Sequence, residues 1–129
     1  MAEIINVPLN GNGVVKLVAG NYALSVRNSS LNVETSSEVR ILCDTSLGKV
    51  DIQLPQIKSF NGLFNAKIFI VDLNNKAADI TINGFKSEAF PVADLINGKE
   101  KANLQFDNGV ALLRIGYNGR WGASGVVGI

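Results

Sequence analysis

VRILCDTSLGKVDIQLP, residues 39–55, is the stretch whose reading decides the fold. Two strand-like runs flank a polar break at Asp44-Thr45-Ser46-Leu47-Gly48. In the second run Val50, Ile52 and Leu54 fall on one side, and Lys49, Asp51 and Gln53 on the other. A period of two is the mark of a half-buried strand. Pro55 has no backbone N–H and ends the pairing. Cys43, the single cysteine, lies within the first run. It has no partner for an internal disulfide, so a buried free thiol is expected.

The same grammar extends in both directions. Residues 4–9 and 14–18 read as short strands separated by Asn10-Gly11-Asn12-Gly13. Tyr22, Leu24 and Val26 alternate with Ala23, Ser25 and Arg27; after a turn at Asn28-Ser29-Ser30, Leu31 and Val33 alternate again. Downstream, residues 59–65 form a loop, and Ile68-Phe69-Ile70-Val71 is apolar on both faces, as a central strand covered on each side would be. Ile80-Thr81-Ile82 continues as a strand, and residues 92–96 suit either one helical turn or a short strand. Ala102, Leu104 and Phe106 alternate. Residues 110–117 and 120–124 form a hairpin around Asn118-Gly119, whose residues suit the positive φ angles of a type I′ turn. Short strands about ten residues apart, separated by Gly and Asn, imply an all-β sandwich or barrel of short antiparallel strands, a jelly roll being one such arrangement. No internal repeat of fixed period is expected: Ile-Asn-Gly recurs at 82–84 and 96–98 in unlike surroundings.

The chain has 129 residues, which fits one domain spanning residues 1–129. A domain of this size buries roughly two-thirds of the surface its unfolded chain exposes, enough for a core without metal or disulfides. The 47% hydrophobic content is rich for so small a body and suggests that a second subunit covers part of it. Twelve basic residues stand against 11 acidic ones with no basic run, so phosphate-driven nucleic-acid binding is not expected. No segment approaches the ~20 apolar residues of a membrane-spanning helix, so no membrane insertion is expected. Met1-Ala2-Glu3 places an acid where a secretion signal carries a base, which suggests synthesis in a cytoplasm.

The chemistry is sparse. There is no histidine, which removes the usual general base and the commonest metal ligand. With one Cys, zinc sites and Cys-His dyads are excluded in their standard forms. Asp44, Asp51, Asp72 and Asp79 lie near strand ends without glycosidase or calcium-loop spacing, and turn capping is the expected role. The chain is therefore read as a non-enzyme without cofactor or metal. Among the aromatics, Trp121 beside Arg120 and Asn118 is the candidate ligand contact, as a sugar-stacking platform near a hairpin tip. The competing expectation is that Trp121 packs on the sheet. Tyr117, Phe60, Phe64, Phe85 and Phe90 are the other aromatics such a platform could draw on, and Phe60 and Phe64, which flank Asn61-Gly62 in a loop, suit a cover for a neighbouring subunit as well. Along residues 110–117 Ala111, Leu113, Ile115 and Tyr117 face one way and Val110, Leu112 and Arg114 the other, so both faces are largely apolar. Either a loop covers the second face or a partner subunit does.

Asp44-Thr45-Ser46-Leu47-Gly48-Lys49-Val50-Asp51-Ile52-Gln53-Leu54-Pro55 resembles the D-T-S-x-G-x-V-x-I-x-L-P segment of bacteriophage tail-fibre, head-fibre and related appendage domains. Ile68–Asp72, Ile80-Thr81-Ile82, Ile96-Asn97-Gly98, Val110, Leu112, Asn118-Gly119 and Trp121 follow in the order of that pattern. The resemblance covers residues 39–124. It implies a β-structured virion protein: a spike, head fibre, capsid decoration or small tail component, located in the virion and made in the host cytoplasm. It further implies a homo-oligomer, with a trimer favoured, that meets other virion proteins and a host-surface glycan. Residues 1–38 lie outside the match and are expected to add edge strands or to dock on the particle. A stand-alone carbohydrate-binding module using Trp121, Arg120 and Asn118 is the alternative.

Overall fold

Alternating apolar residues become strands throughout. The computed structural model describes residues 3–9, 13–26, 38–57, 67–115 and 120–129. Its strands are β1 (Ile4–Leu9), β2 (Gly13–Leu17), β3 (Gly20–Val26), β4 (Glu38–Cys43), β5 (Val50–Gln53), β6 (Lys67–Asp72), β7 (Ile80–Asn83), β8 (Lys101–Leu104), β9 (Val110–Ile115), β10 (Trp121–Ser124) and β11 (Val126–Gly128). One turn of 3-10 helix, Ala77–Asp79, precedes β7. The expected features at residues 10–12, 28–34, 59–65 and 118–119 lie outside the described residues, as do Phe60, Phe64 and Tyr117.

The strands form a six-stranded sheet, β1-β3-β5-β7-β8-β11, and a five-stranded sheet, β10-β9-β6-β4-β2. The all-β two-layer reading holds. The sense of pairing differs from expectation: β1–β3, β3–β5, β5–β7, β2–β4 and β4–β6 are parallel, while β7–β8, β8–β11, β6–β9 and β9–β10 are antiparallel. The reason lies in the path. From β1 to β7 the chain changes sheet at every strand. Parallel neighbours need a long crossover, and here each crossover is itself a strand of the opposite sheet. The chain therefore winds as a flattened coil, which β8 to β11 close with antiparallel pairs.

This winding also supplies a repeat that residue identity does not reveal. Gly20 pairs with Val50 and Val50 with Ile80, so three turns of the six-stranded sheet are spaced 30 residues apart. In the other sheet Gly13 pairs with Val39 and Val39 with Ile68, spacings of 26 and 29. Only the apolar alternation is common to the turns. The N-terminal region adds β1, β2 and β3 to the same two sheets.

The core lies between the layers. Ile41, Ile70 and Leu113 from the five-stranded sheet and Val50, Ile52, Ile80 and Ile82 from the six-stranded one are all at 0% exposure. Cys43 is buried among them. Burial pushes its thiol up from 9.0 to about 12, helped by the negative Asp72 paired beside it. Strand β6 is covered on its inner face and half-buried on its outer one, so it is central but not enclosed. Residues 92–96 form neither helix nor strand; Ile96 makes isolated bridges to Lys99 and Trp121.

Asp72 ties the crossovers together. Its side chain is buried at the end of β6. Oδ1 accepts the Asn74 N–H at 3.0 Å, and Oδ2 accepts those of Lys76 and Asn108, both at 2.8 Å. One carboxylate thus holds the turn leading to β7 and the turn leading to β9. Asn75 and Asn108 take positive φ of 61° and 56°, a conformation asparagine tolerates better than most residues.

Candidate functional site

Trp121, the expected stacking residue, opens β10 with its side chain turned inward, 2% exposed. Its backbone N–H donates to Leu95 O at 3.3 Å and its carbonyl accepts from Asn97 at 3.1 Å. An indole so placed has no open face for a sugar, which corrects the ligand-contact reading: its volume serves the core. Arg120 is exposed, and Asn118 lies outside the described residues. The strand-end acids are dispersed. Asp44 Oδ1 accepts the Ser46 N–H at 3.0 Å; the Ser46 side chain and backbone, together with Lys16, hold the Asp44 carboxyl below its ordinary 3.8. Asp51 accepts from Asn83, Asp72 is occupied as above, and Asp79 sits in the 3-10 turn. Among the described residues no three His, Cys, Asp or Glu side chains group as metal ligands, and no helix is long and apolar enough to cross a membrane.

What the fold does assemble are two outer faces. On the five-stranded sheet the register aligns Val14, Arg40, Phe69 and Leu112 in one row, and Lys16, Leu42, Val71 and Val110 in the next. A third row holds Glu38, Lys67 and Arg114. Val14 and Val110 are 64% and 49% exposed, and Leu42, Phe69, Val71 and Leu112 are half-buried. The Arg40 guanidinium lies 5.2 Å from the Phe69 ring centroid, and Glu38 pairs with Arg40 at 3.3 Å and with Lys67 at 3.9 Å. Leu42, Phe69, Val71, Val110 and Leu112 are therefore contiguous, bordered by Lys16, Arg40, Lys67 and Arg114 with their acidic partners Glu38 and Asp44, and Val14 lies beyond Arg40.

The outer face of the six-stranded sheet is different. Asn21, Asp51, Gln53, Asn83, Lys86 and Lys101 help to line a groove of about 580 Å³. Much of their polarity is turned back on the protein. Asn83 Nδ2 donates to Asp51 Oδ1 at 2.7 Å, and Gln53 Nε2 donates to Lys86 O at 3.2 Å. At the next strand Asn103 Nδ2 donates to Ile80 O at 2.8 Å. Beyond the groove, residues 84–95 carry a tip at 87–92. Ser87 and Phe90 exchange backbone hydrogen bonds of 3.0 and 3.1 Å, and Phe85 and Phe90 pack edge to face, centroids 6.3 Å apart. A side chain at Gly84 would overlap the Asp94 carbonyl, so glycine is required where the two arms of this loop meet.

Sequence reading anticipated the second apolar face of β9 but not the groove. The 30-residue register would have aligned Asn21 with Asp51, and Gln53 with Asn83, and this was the available signal. No protein-family model matches the chain, and no curated protein is significantly similar to it in sequence.

Proposed function

We propose that this chain is a structural domain of a bacteriophage virion, working by self-association and attachment to the particle rather than by catalysis. One observation carries the assembling role: the contiguous apolar outer face of the five-stranded sheet. Parallel sheets are normally covered on both sides, and strands β2, β4 and β6 pair in parallel with apolar residues facing outward. A second protein surface is the natural cover. The virion setting rests on the appendage-like segment at residues 44–55 and the motifs that follow it.

The test is native mass spectrometry of the purified chain, with co-sedimentation on purified particles. A discrete homo-oligomer that binds particles is expected. A stable monomer that never associates with a particle would overturn the proposal. A second reading, saccharide binding, is favoured by the groove. Its side-chain amides both donate and accept, as sugar hydroxyls require, and Asp51 and Glu100 balance Lys86 and Lys101. A glycan array on the wild type and Asp51→Ala tests it; absence of any Asp51-dependent binding sinks this reading.

A further inference from the structure

We infer that copies of this chain associate heterologously, the tip at residues 87–92 of one copy seating on the outer face of the five-stranded sheet of the next. This rests on the assembling role proposed above and specifies its contact. Two surfaces with matching chemistry carry the inference. The tip is exposed from Ser87 to Val92. Phe90 is 41% exposed and Val92 84%, and Glu88 is the tip's one charge. The receiving face offers Leu42, Phe69, Val71 and Leu112 between Lys16, Arg40, Lys67 and Arg114. An acidic, apolar tip meets a basic, apolar face.

The alternative arrangement for a second copy is isologous, face against face. That would bring the four cations of each copy together, with Glu38 and Asp44 to offset them, and both acids are already engaged, Glu38 by Arg40 and Lys67 and Asp44 by Lys16 at 3.8 Å. Like charges brought together across an interface oppose binding, so the face-to-face arrangement is the less favourable of the two. The tip is also pre-ordered by the reciprocal Ser87–Phe90 hydrogen bonds and the Phe85–Phe90 contact, so little freedom is lost when it docks. It leaves the end of β7, in the sheet opposite to the receiving face. Each copy therefore keeps one donor and one acceptor surface, which is the condition for a head-to-tail ring.

Native mass spectrometry of the full chain tests this by complementation. Val92→Asp removes the tip's apolar contact, and Leu112→Asp places a carboxylate in the face. Each alone is expected to weaken self-association at least about tenfold while circular dichroism stays unchanged. Mixed in equal amounts, they should recover a one-to-one heterodimer, because one copy retains a good face and the other a good tip. Where Leu112→Asp unfolds the chain, Arg114→Glu replaces it as the face variant. In the same series Glu88→Arg weakens association and Glu88→Arg combined with Arg114→Glu restores it. A wild-type oligomer indifferent to Val92→Asp, or a mixture that recovers nothing, overturns the inference and leaves the assembling role intact. A wild type that is monomeric and binds no particle overturns both.

Discussion

The two outer faces are made by the same winding yet solve opposite problems. On the six-stranded sheet the outward rows carry amides and carboxylates that bond to their own neighbours, as Asn83 does with Asp51 and with Ile52 O at 3.2 Å. On the five-stranded sheet the outward rows carry Phe69, Val71, Leu112 and Val110, which have no polar atoms to satisfy and gain only by losing water. The first face is complete in the monomer. The second is held in place by the monomer, which leaves its apolar side chains in contact with water. The difference lies in how much apolar area each face leaves uncovered, which is the feature that the proposed assembly rests on.

The largest effect separates the two sides of a single strand. Leu113 faces the core at 0% exposure, whereas Leu112 faces outward and is half-buried. Leu113→Ala is expected to cost ~2–5 kcal/mol in urea unfolding, through lost transfer energy and a cavity. Leu112→Ala should cost ~1 kcal/mol or less in the monomer, because its environment changes less on folding. Equal costs would mean that the outer face already belongs to the monomer's core, and the contrast between the sheets would fail.

A second comparison sets a buried carboxylate against an outward one. Asp72→Ala leaves three inward backbone N–H groups without their acceptor. A loss of ~3 kcal/mol is expected, as for breaking a buried charged contact. Asp51→Ala, on the groove face, removes one side-chain hydrogen bond from a partly exposed pair and should cost ~1 kcal/mol. Chemical denaturation of both variants checks the order, and its reversal would show that the groove, not the crossover, is the polar keystone.

Cys43 gives a smaller, pH-dependent effect. Cys43→Ala should cost ~1 kcal/mol at pH 8, about one buried methylene equivalent. The folded thiol keeps its proton up to about pH 12, whereas the unfolded one releases it near 9.0. The stability this represents is full below 9.0 and drains away as pH rises toward 12, because the unfolded chain then binds fewer protons. Wild type should lose about 2 kcal/mol between pH 8 and about pH 10.5, so its lead over Cys43→Ala in urea unfolding should close and then reverse. A constant gap would mean that the thiol ionises freely in the folded protein.

Most of the strand content was legible because alternation is a local signal: Val50, Ile52 and Leu54 point inward as their spacing predicts, and so do Ala111, Leu113 and Ile115. The pairing partners were not legible. Whether β4 lies beside β5 or beside β6 depends on where the chain goes between them, and a six-residue polar break suits a hairpin within a sheet as well as a step to the other sheet. Trp121 packs on the sheet, one of its two expected placements, and its local sequence did not decide between them. Its neighbours Arg120 and Asn118 are polar, but its inward direction follows from the register with Ile115 across the hairpin. Strand β11 escaped notice because three residues, Val126–Gly128, are too few to show a period. The groove stayed hidden because its residues are neighbours only through the 30-residue winding.

The smallest effect tests whether the five-stranded face is tuned for a partner rather than for folding. Arg40 stacks on Phe69 and pairs with Glu38, but its side chain is 51% exposed, so water and salt screen the ion pair heavily. A double-mutant cycle of Arg40→Ala and Phe69→Ala should give a coupling of ~0.5–1 kcal/mol in unfolding, the size of an exposed cation–π contact. The same coupling measured in self-association should be larger, since covering the face removes the water that weakens the contact. A coupling that is the same in both measurements would mean that the guanidinium stays wet in the assembly. The docked surface would then lie nearer Val110 and Leu112, and the apolar rows rather than their charged border would set the register between copies.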